Sequence, residues 1–315
     1  MISPFLKKAV HQEPFQAIWR AMRKRKIWLQ HKKVYDFWKP VVEDYHQGKL
    51  STFRFSPKID FGSDKIIWQY WGQGFDDRNV PEVVRICTES VTTHKGDYRV
   101  VRLHDGNILD YLDMPAFVQE KRQNPAFNRT FFSDLLRVCL LCTYGGVWLD
   151  ATILLTKPLP ESLRQLPYFV YQRDGAVSDR KFWEQSYAYY WGWDARFKVR
   201  MLNSILFARK EGVLIQALQD LLLHYWEKQN DIIDYFFFQI LFEVLTEHTD
   251  RYDRCPVVSD TVPHLLQAKI NNPDSAIVYA DVIAWNDMHK MSYFGAEAMK
   301  RFREMVEQLN GKRTV

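Results

Sequence analysis

FFSDLLRVCLLCTYGGVWLDATILLTKPL, at residues 131–159, decides the fold of this chain. Its first half repeats apolar residues at helical spacing, which predicts an amphipathic helix over residues 130–144. The double glycine at 145–146 ends that helix. The apolar residues that follow predict a short strand at 147–149, which continues extended through 153–158. A helix that turns sharply into a buried strand is a building unit of an α/β sheet.

Further strands and helices alternate with this unit along the sequence. Apolar runs predict strands at residues 66–71, 98–103, 168–171 and 276–280. Helical spacing predicts helices at residues 81–92, 212–229, 234–248 and 295–309. The alternation through residues 65–171 predicts an α/β fold with a mostly parallel sheet that helices cover on both faces.

Three regions are expected within the 315 residues, a length that suits one large domain or two close ones. A basic helical segment at 1–60 precedes an α/β domain at 61–294. An amphipathic helix at 295–315 follows that domain. No stretch of linker composition is marked enough to define two independent domains.

The positive charge of the chain is concentrated at its beginning. Residues 1–33 hold nine Lys and Arg against one acid, Glu13, so a net charge of +5 for the chain leaves −3 for the remainder. Apolar residues are interleaved with these charges: Phe5, Leu6, Val10, Phe15, Ile18, Trp19, Met22, Ile27, Trp28 and Leu29. This pattern fits a helix on an anionic lipid surface, a nucleic-acid-binding arm, or an arm that packs its apolar face on its own domain.

Several protein classes are disfavoured by the composition. The sequence has no run of about 18 apolar residues that could span a bilayer, and its first residues lack the apolar core of a secretory signal. Its four cysteines are too few for a disulfide framework and lack the spacing of a metal site, so we expect core thiols: Cys87, Cys139, Cys142 and Cys255. A cytoplasmic, reduced protein is the simplest expectation.

Charged residues within the deciding stretch predict a binding site. Ser133, Asp134 and Arg137 fall within about one helical turn of 3.6 residues, and an acid and a base in an apolar helix are costly unless they pair or bind a polar ligand. Asp150 follows the short strand, at the sheet edge where α/β proteins bind ligands. The alternatives are an ion pair that stabilises the helix and a turn or capping role for Asp150.

Three segments together resemble a known family: KIIWQYWGQG at 65–74, the stretch at 131–159, and MHKMSY at 288–293. They are similar to the capsular polysaccharide synthesis glycosyltransferases, which belong to a wider group with DxD sugar-binding regions that includes yeast-type mannosyltransferases and clostridial glucosylating toxins. The resemblance implies a GT-A fold with a Rossmann-like nucleotide-binding sheet. It also implies retaining transfer of a hexose, galactose or glucose, from a UDP-sugar with Mn²⁺ or Mg²⁺.

The same resemblance implies the partners of the enzyme. The acceptor would be a lipid-linked saccharide in capsular or surface polysaccharide assembly. The enzyme would work from the cytoplasm as a peripheral protein on the inner face of the cell membrane, with no nucleic acid as partner. The basic N-terminal segment fits that membrane surface.

Roles for individual residues follow from the resemblance. Trp71 is similar to the ring that stacks on uracil. The resemblance implies further donor-binding residues around it and in the helix: Tyr70, Gly72, Ser133, Asp134, Arg137 and Ala151. Asp150 is similar to the first acid of the DxD motif, and Thr152 stands where the second acid is expected. His289 would be a late metal or phosphate ligand beside those two, and Lys290 would neutralise the leaving diphosphate.

The face of the sugar opposite the leaving group is less defined. Asn203 or Gln239 is a candidate for that position, and the family favours front-side attack, in which a phosphate oxygen takes the acceptor proton. Aromatic residues crowd residues 182–197 and predict either an acceptor platform or core. The rival functions are a nucleotide-sugar-binding module that has lost the reaction, because the second acid is missing, and a nucleic-acid-binding protein that uses the basic segment.

Overall fold

The computed structural model describes residues 15–62, 65–76, 78, 80–247 and 251–311. Its strands are β1 (Ile66–Tyr70), β2 (Arg99–Leu103), β3 (Gly146–Leu149), β4 (Ile153–Leu155), β5 (Tyr168–Gln172), β6 (Met201–Ala208) and β7 (Met288–Lys290). Five of these form a central sheet in the order β2-β1-β3-β6-β5. β1 pairs in parallel with β2 and β3, whereas β6 runs antiparallel to β3 and β5. Four of the five strands therefore point the same way, which confirms the predicted α/β fold.

Helices surround this sheet. They are α1 (Phe15–His46), α2 (Glu82–His94), α3 (Ala116–Lys121), α4 (Arg129–Tyr144), α5 (Glu161–Arg164), α6 (Arg180–Ser186), α7 (Val213–Lys228), α8 (Phe237–Glu247), α9 (Leu265–Asn271), α10 (Tyr279–Trp285) and α11 (Ala296–Gly311). α4 packs between α7 and the central strands. β4 and β7 form a separate antiparallel pair, and a second apolar cluster joins them to α2, α9, α10 and α11.

The turn from α4 into β3 explains the double glycine. Asn128 caps the start of α4 by accepting a hydrogen bond from the Thr130 amide at 2.9 Å. At the other end, Gly145 and Gly146 have φ values of 73° and 102°. A Cβ on Gly146 would lie 2.6 Å from the carbonyl oxygen of Ile66. Only glycine therefore allows the chain to leave α4 and run directly alongside β1.

Replacing Gly146 by Ala is expected to lower the free energy of unfolding by at least about 2 kcal/mol. The new Cβ would require an unfavourable φ and would push against the β1 backbone. Urea unfolding measures the change. Gly175→Ala is the control, because a Cβ at Gly175 meets nothing within 4 Å and its φ is not positive. Equal stability of the two variants would contradict this account of the turn.

One predicted strand is absent from the structure, and the strand β6 was not predicted. The segment at 276–280 does not form a strand. It leads into α10, where Val282 packs into the second apolar cluster. The apolar pattern does not predict β6, because Asn203 and Ser204 interrupt its apolar run. Both errors arise because tertiary contacts, rather than local apolar content, decide which extended segments pair.

The long helix α1 resolves part of the ambiguity about the basic segment. Its second half buries Val34, Trp38 and Val42 at helical spacing, and the helix packs mainly on α8. The Trp38 indole donates a hydrogen bond to the carbonyl oxygen of Phe237 at 2.9 Å. This half therefore packs on its own domain, as one alternative predicted. Predictions for residues 1–14 and 312–315 lie outside the described residues.

The first half of α1 differs from the second. Four of its large apolar side chains are exposed: Ile18, Trp19, Met22 and Leu29. Among the described residues, no helix combines the length and apolar content needed to cross a membrane.

All four cysteines of the sequence fall within the described residues and are buried free thiols, as predicted.

Candidate active site

A cavity of about 610 Å³ opens where α4, β3 and β6 meet. Several of its polar side chains come from segments that are far apart in the sequence: Ser133, Asp134, Arg137, Asp150, Asn203, Gln239 and Lys290. Asp150 reaches the cavity because the chain leaves β3 at this edge of the sheet, where parallel strands end. The structure thus brings the acid after the double glycine together with the Asp–Arg couple of α4.

Asp134 and Arg137 form a buried ion pair, 4% and 2% exposed, with the Arg137 guanidinium donating to the Asp134 carboxylate. Asn203 on β6 donates a second hydrogen bond to Asp134 Oδ1 at 2.8 Å. Burial raises the pKa of Asp134 to about 6, and the neighbouring Arg137 charge opposes that rise. The pair joins positions i and i+3 within α4, as one alternative predicted, and its members also line the cavity.

Asp150 lies between two cations. Arg137 Nη2 is 3.2 Å from Asp150 Oδ1, and Lys290 Nζ is 2.9 Å from Oδ2. The Trp148 indole also donates to Oδ1 at 2.8 Å. Burial alone would raise the pKa of Asp150, but the charges of Lys290 and Arg137 outweigh burial and lower it to about 2. Asp150 is therefore ionised at any physiological pH.

A second cavity of about 300 Å³ adjoins the first. Ser133, Thr130 and Asp150 line both cavities, so one ligand can extend through the two. The second cavity is also lined by residues at the ends of β1 and β3 and in the segments that follow these strands: Tyr70, Trp71, Gly72, Gln73, Trp148, Ala151 and Thr152. The predicted nucleotide-binding residues therefore lie next to the predicted sugar-binding ones.

Tyr70 and Gly72 support this second cavity in different ways. The Tyr70 hydroxyl donates to Asp105 at 2.5 Å, and Arg129 Nε donates to the same carboxylate at 2.8 Å. A Cβ on Gly72 would lie 2.5 Å from Arg129 Cδ. Glycine at position 72 thus lets Arg129 cross the loop, which fixes the loop that carries Trp71.

His289 is not brought to the cavity. Successive residues of β7 point to opposite faces, so while Lys290 reaches Asp150, His289 is fully buried with its Nε2 3.2 Å from the Thr156 hydroxyl. Burial lowers the pKa of His289 to about 3. The structure therefore does not bring His289, the predicted metal or phosphate ligand, to Asp150 and Thr152.

Asp150 and Thr152 supply the side-chain oxygens that could bind a cation at this site. Lys290 Nζ lies 2.9 Å from both Asp150 Oδ2 and Thr152 Oγ1, so two oxygens converge on one positive group. In the described ranges, no group of three His, Cys, Asp or Glu side chains could hold a metal. The residues present therefore fit Mg²⁺ or Mn²⁺ only where substrate phosphates and water complete the coordination.

Gln239 and the aromatic segment form the opposite side of the first cavity. Gln239 is almost fully buried, and its Oε1 has no hydrogen-bond partner among the described residues. From residues 182–197, Phe182, Trp183, Tyr187, Tyr190 and Trp191 line the cavity. Several of these rings are also core residues, as one interpretation predicted, and the role of the segment as an acceptor platform stays a prediction.

Arg173 holds this aromatic wall in place. Its guanidinium lies 4.6 Å from the Trp191 ring and forms a buried ion pair with Asp260 at 2.9 Å. It also donates to the carbonyl oxygens of Tyr190 and Gly192. The wall is thus fixed by one buried cation that the sequence analysis did not single out.

Other residues of the site were also missed. Tyr293 and Arg129 line the second cavity, and Tyr235 and His264 line the first. Tyr293 lies within the MHKMSY segment, and Arg129 lies two residues before the deciding stretch, so their neighbourhood was visible in the sequence. Tyr235 lies in the turn before α8, and His264 ends the short 3-10 helix before α9, so the position of both depends on tertiary packing.

Comparisons with known proteins agree on the class of protein. The O-glycosyltransferase PaGT of Phomopsis amygdali is 26% identical over 180 residues, which cover 52% of this chain and 39% of that protein. The Initiation-specific alpha-1,6-mannosyltransferase of Saccharomyces cerevisiae is 28% identical over 99 residues, which cover 30% of this chain and 20% of that protein. The chain thus spans about two fifths and one fifth of these relatives.

A solved structure, PaToxG Glycosyltransferase, aligns over 91% of this chain and 97% of that chain. Its identity is 12% and its TM-score is 0.34, so this likeness carries no argument about fold or function. A family model described as "Capsular polysaccharide synthesis protein" matches residues 18–309. Because that match covers nearly the whole chain and includes all of the residues that line the two cavities, the chain belongs to the capsular polysaccharide synthesis protein family.

Proposed function

We propose that this protein is a retaining glycosyltransferase of GT-A type, which transfers galactose or glucose from a UDP-sugar to a lipid-linked saccharide. The observation that carries the proposal is the convergence of Asp134, Arg137 and Asp150 on a cavity of about 610 Å³ that continues into a second cavity below Trp71. The names of the curated relatives, a glycosyltransferase and a mannosyltransferase, support the reaction class.

The donor would extend through both cavities. The base would bind in the second cavity, where Trp71 and Tyr293 offer aromatic faces for stacking. The sugar would bind in the first cavity, where the Asp134 carboxylate accepts hydrogen bonds and Arg137 donates them. The diphosphate would then lie near Asp150 and Lys290, because those residues line the boundary between the two sites.

Cleavage of the sugar–phosphate bond places negative charge on the leaving diphosphate. Lys290 and Arg137 supply fixed positive charge on either side of Asp150, which stabilises that developing charge in a partly buried site. Asp150 and Thr152 would hold Mg²⁺ or Mn²⁺ together with the diphosphate, and the cation would act as a Lewis acid there. Lys290 would then contact the phosphate oxygens instead of Asp150.

For retention we propose front-side attack, in which a donor phosphate oxygen takes the proton of the acceptor hydroxyl. The unpartnered Oε1 of Gln239 supports a role at the sugar, because a buried amide oxygen gains from accepting a sugar hydroxyl. Asn203 would act differently, since its amide already donates to Asp134 and positions that carboxylate. The acceptor would contact the aromatic wall, whose rings suit the C–H faces of a saccharide.

We further propose that the protein acts at the inner face of the cell membrane. The exposed Ile18, Trp19 and Met22 of α1 stand among basic residues of the same helix. Apolar and basic side chains together favour the interface of an anionic membrane. A lipid-linked acceptor would be presented at that surface.

A panel of nucleotide sugars tests the function. The full chain is mixed with UDP-galactose, UDP-glucose or GDP-mannose, with and without Mn²⁺, and both thermal stability and nucleotide release are measured. We expect a UDP-sugar to raise the melting temperature and to be turned over, because a ligand that binds only the folded state stabilises it. Stabilisation by UDP without turnover of any donor would favour a binding module that has lost the reaction. No stabilisation by any nucleotide would contradict the donor site itself.

The pH profile gives a separate prediction. Because burial raises the pKa of Asp134 to about 6, its carboxylate takes a proton as the pH falls through that value and no longer accepts sugar hydroxyls as an anion. We expect kcat/KM for the UDP-sugar to fall below pH about 6, since this parameter reports ionisation of the free enzyme. Asp134→Asn is the control, and its residual activity should lack this acid limb. An unchanged limb in that variant would assign it to another group.

A further inference from the structure

A groove of about 580 Å³ lies outside the two cavities, between the first half of α1 and the segment at 181–197. We call it the α1–α6 groove. Its floor is apolar, with Ile27, Trp28 and Phe197, and Ala17 and Ala21 of α1 line one side. Nothing in the proposed donor chemistry uses this groove.

Cations dominate the rim of the α1–α6 groove. Four basic side chains line it, against the two carboxylates of Glu184 and Asp194: Arg20, Arg23, Lys24 and Lys181. Lys24 is held by an ion pair with Glu184 at 3.0 Å, which fixes its ammonium at the rim. An apolar floor below a cationic rim suits a ligand with an apolar chain and an anionic head.

The position of the groove relates it to both the membrane face and the catalytic cavity. Exposed Ile18 and Met22 flank it on α1. On its other side, α6 presents Lys181 and Glu184 to the groove but Trp183 to the catalytic cavity. The Trp191 ring lines both spaces. A ligand in the groove would therefore lie one side chain away from the aromatic wall of the first cavity.

We propose that the α1–α6 groove binds the phosphate end of the lipid that carries the acceptor saccharide. The cations of the rim bind the phosphate or diphosphate, and the first part of the apolar chain lies along the floor before it enters the membrane beside Ile18 and Met22. This inference rests on the proposed function, because it takes the acceptor to be lipid-linked. It makes α1 a substrate-binding element as well as a membrane contact.

Direct binding of geranyl diphosphate, a soluble amphiphile with these two features, tests the proposal. We expect one molecule to bind per chain, with inorganic pyrophosphate and geraniol each binding at least about tenfold more weakly. Equal affinity for pyrophosphate would reduce the groove to an anion site and overturn the proposal. Tighter binding of dihexanoyl-phosphatidylglycerol would assign the groove to bulk membrane lipid and would also overturn it.

Ala21→Trp separates a seated ligand from general adsorption. The new ring fills the groove without changing any charge, so we expect geranyl diphosphate affinity to fall at least about tenfold. Leu29→Trp is the matched control, because Leu29 is exposed on the same helix but does not line the groove, and it should bind like the wild type. Unchanged binding by Ala21→Trp would contradict the proposal.

Two charge-reversal variants provide a second comparison. Lys181→Glu reverses a rim charge, whereas Lys33→Glu makes the same change at an exposed position of α1 that does not line the groove. We expect only Lys181→Glu to weaken binding of geranyl diphosphate. Equal losses in both variants would mean that net charge alone attracts the probe, against the proposal.

These measurements distinguish failure of the groove proposal from failure of the proposed reaction. Probe binding is measured without donor and without divalent cation, and its loss in Ala21→Trp and Lys181→Glu assigns the bound probe to the groove, because neither residue lines the two donor cavities. Binding that is lost in Ala21→Trp would support the groove even if no nucleotide sugar were turned over. Turnover of a UDP-sugar without probe binding would refute the groove and leave the reaction standing.

Discussion

Asp150→Asn is expected to lower the rate of sugar transfer by about 10²- to 10³-fold, the range seen when one electrostatic group of a preorganised site is removed. Asn has nearly the same size as Asp and retains one acceptor oxygen, so the shape of the cavity changes little. What is lost is the negative charge between Arg137 and Lys290. That charge positions both cations. In the proposed reaction it also binds the metal ion that is coordinated by the diphosphate.

Release of UDP from the donor at saturating concentration measures the effect of Asp150→Asn. The matched control is Asp287→Asn: Asp287 is 23% exposed against 25% for Asp150, and it pairs with Lys157. It lines neither cavity, so we expect wild-type rates from this control. If Asp150→Asn released UDP at the wild-type rate, Asp150 would not be a catalytic residue.

Arg137→Met is expected to lower the free energy of unfolding by about 3–5 kcal/mol at neutral pH, as when one member of a buried ion pair is removed. Its guanidinium donates to the carboxylates of both Asp134 and Asp150. Without it, the deeply buried Asp134 loses its charged partner, and the repulsion between the two acids is no longer offset. Donor turnover should be lost as well.

The pH dependence of this loss has a definite sign. The folded-state pKa of Asp134 is already raised to about 6 with Arg137 present, and it would rise further without that cation. An acid whose pKa is higher in the folded than in the unfolded protein binds more protons when folded, so the folded state gains stability as the pH falls. We therefore expect Arg137→Met to lose less stability at pH 5.5 than at pH 8. A loss that is constant with pH would contradict the role of Arg137 as the partner of Asp134.

Arg137→Lys separates the structural role from binding of the sugar. Lysine restores a positive charge near Asp134 but lacks the planar fork that reaches two carboxylates at once. We expect the free energy of unfolding to return toward the wild-type value, while KM for the UDP-sugar stays raised. Full recovery of both stability and donor use would show that only the charge of Arg137 matters.

The central part of the site could be predicted because its residues are close in the sequence. Asp134, Arg137 and Asp150 lie within one helix–turn–strand unit, and helical spacing together with the double glycine determines how that unit folds. The resemblance to a sugar-transferring family also depended on this local order. Residues 1–33 were open to three interpretations, because a basic amphipathic pattern does not specify what covers its apolar side.

Residues contributed by distant segments could not be placed in this way. Lys290 contacts Asp150 across 140 positions of the chain. The register in which β7 pairs with β4 decides that Lys290, rather than His289, points into the cavity. The same MHKMSY segment was noticed in the sequence, but a shift of one residue in register exchanges the two faces of a strand.

The sequence by itself determined the α/β class, the helix–turn–strand unit of residues 131–159 and the acids and arginine of the candidate site. Local hydrophobic periodicity and the backbone freedom of glycine suffice for these, because both act over a few neighbouring residues. Only the tertiary structure decided that β6 enters the sheet antiparallel and brings Asn203 to Asp134. It also decided that α1 and α6 enclose a cationic groove. Those features depend on which surfaces pack together, and burial of apolar area between segments far apart in the chain is a property of the whole fold.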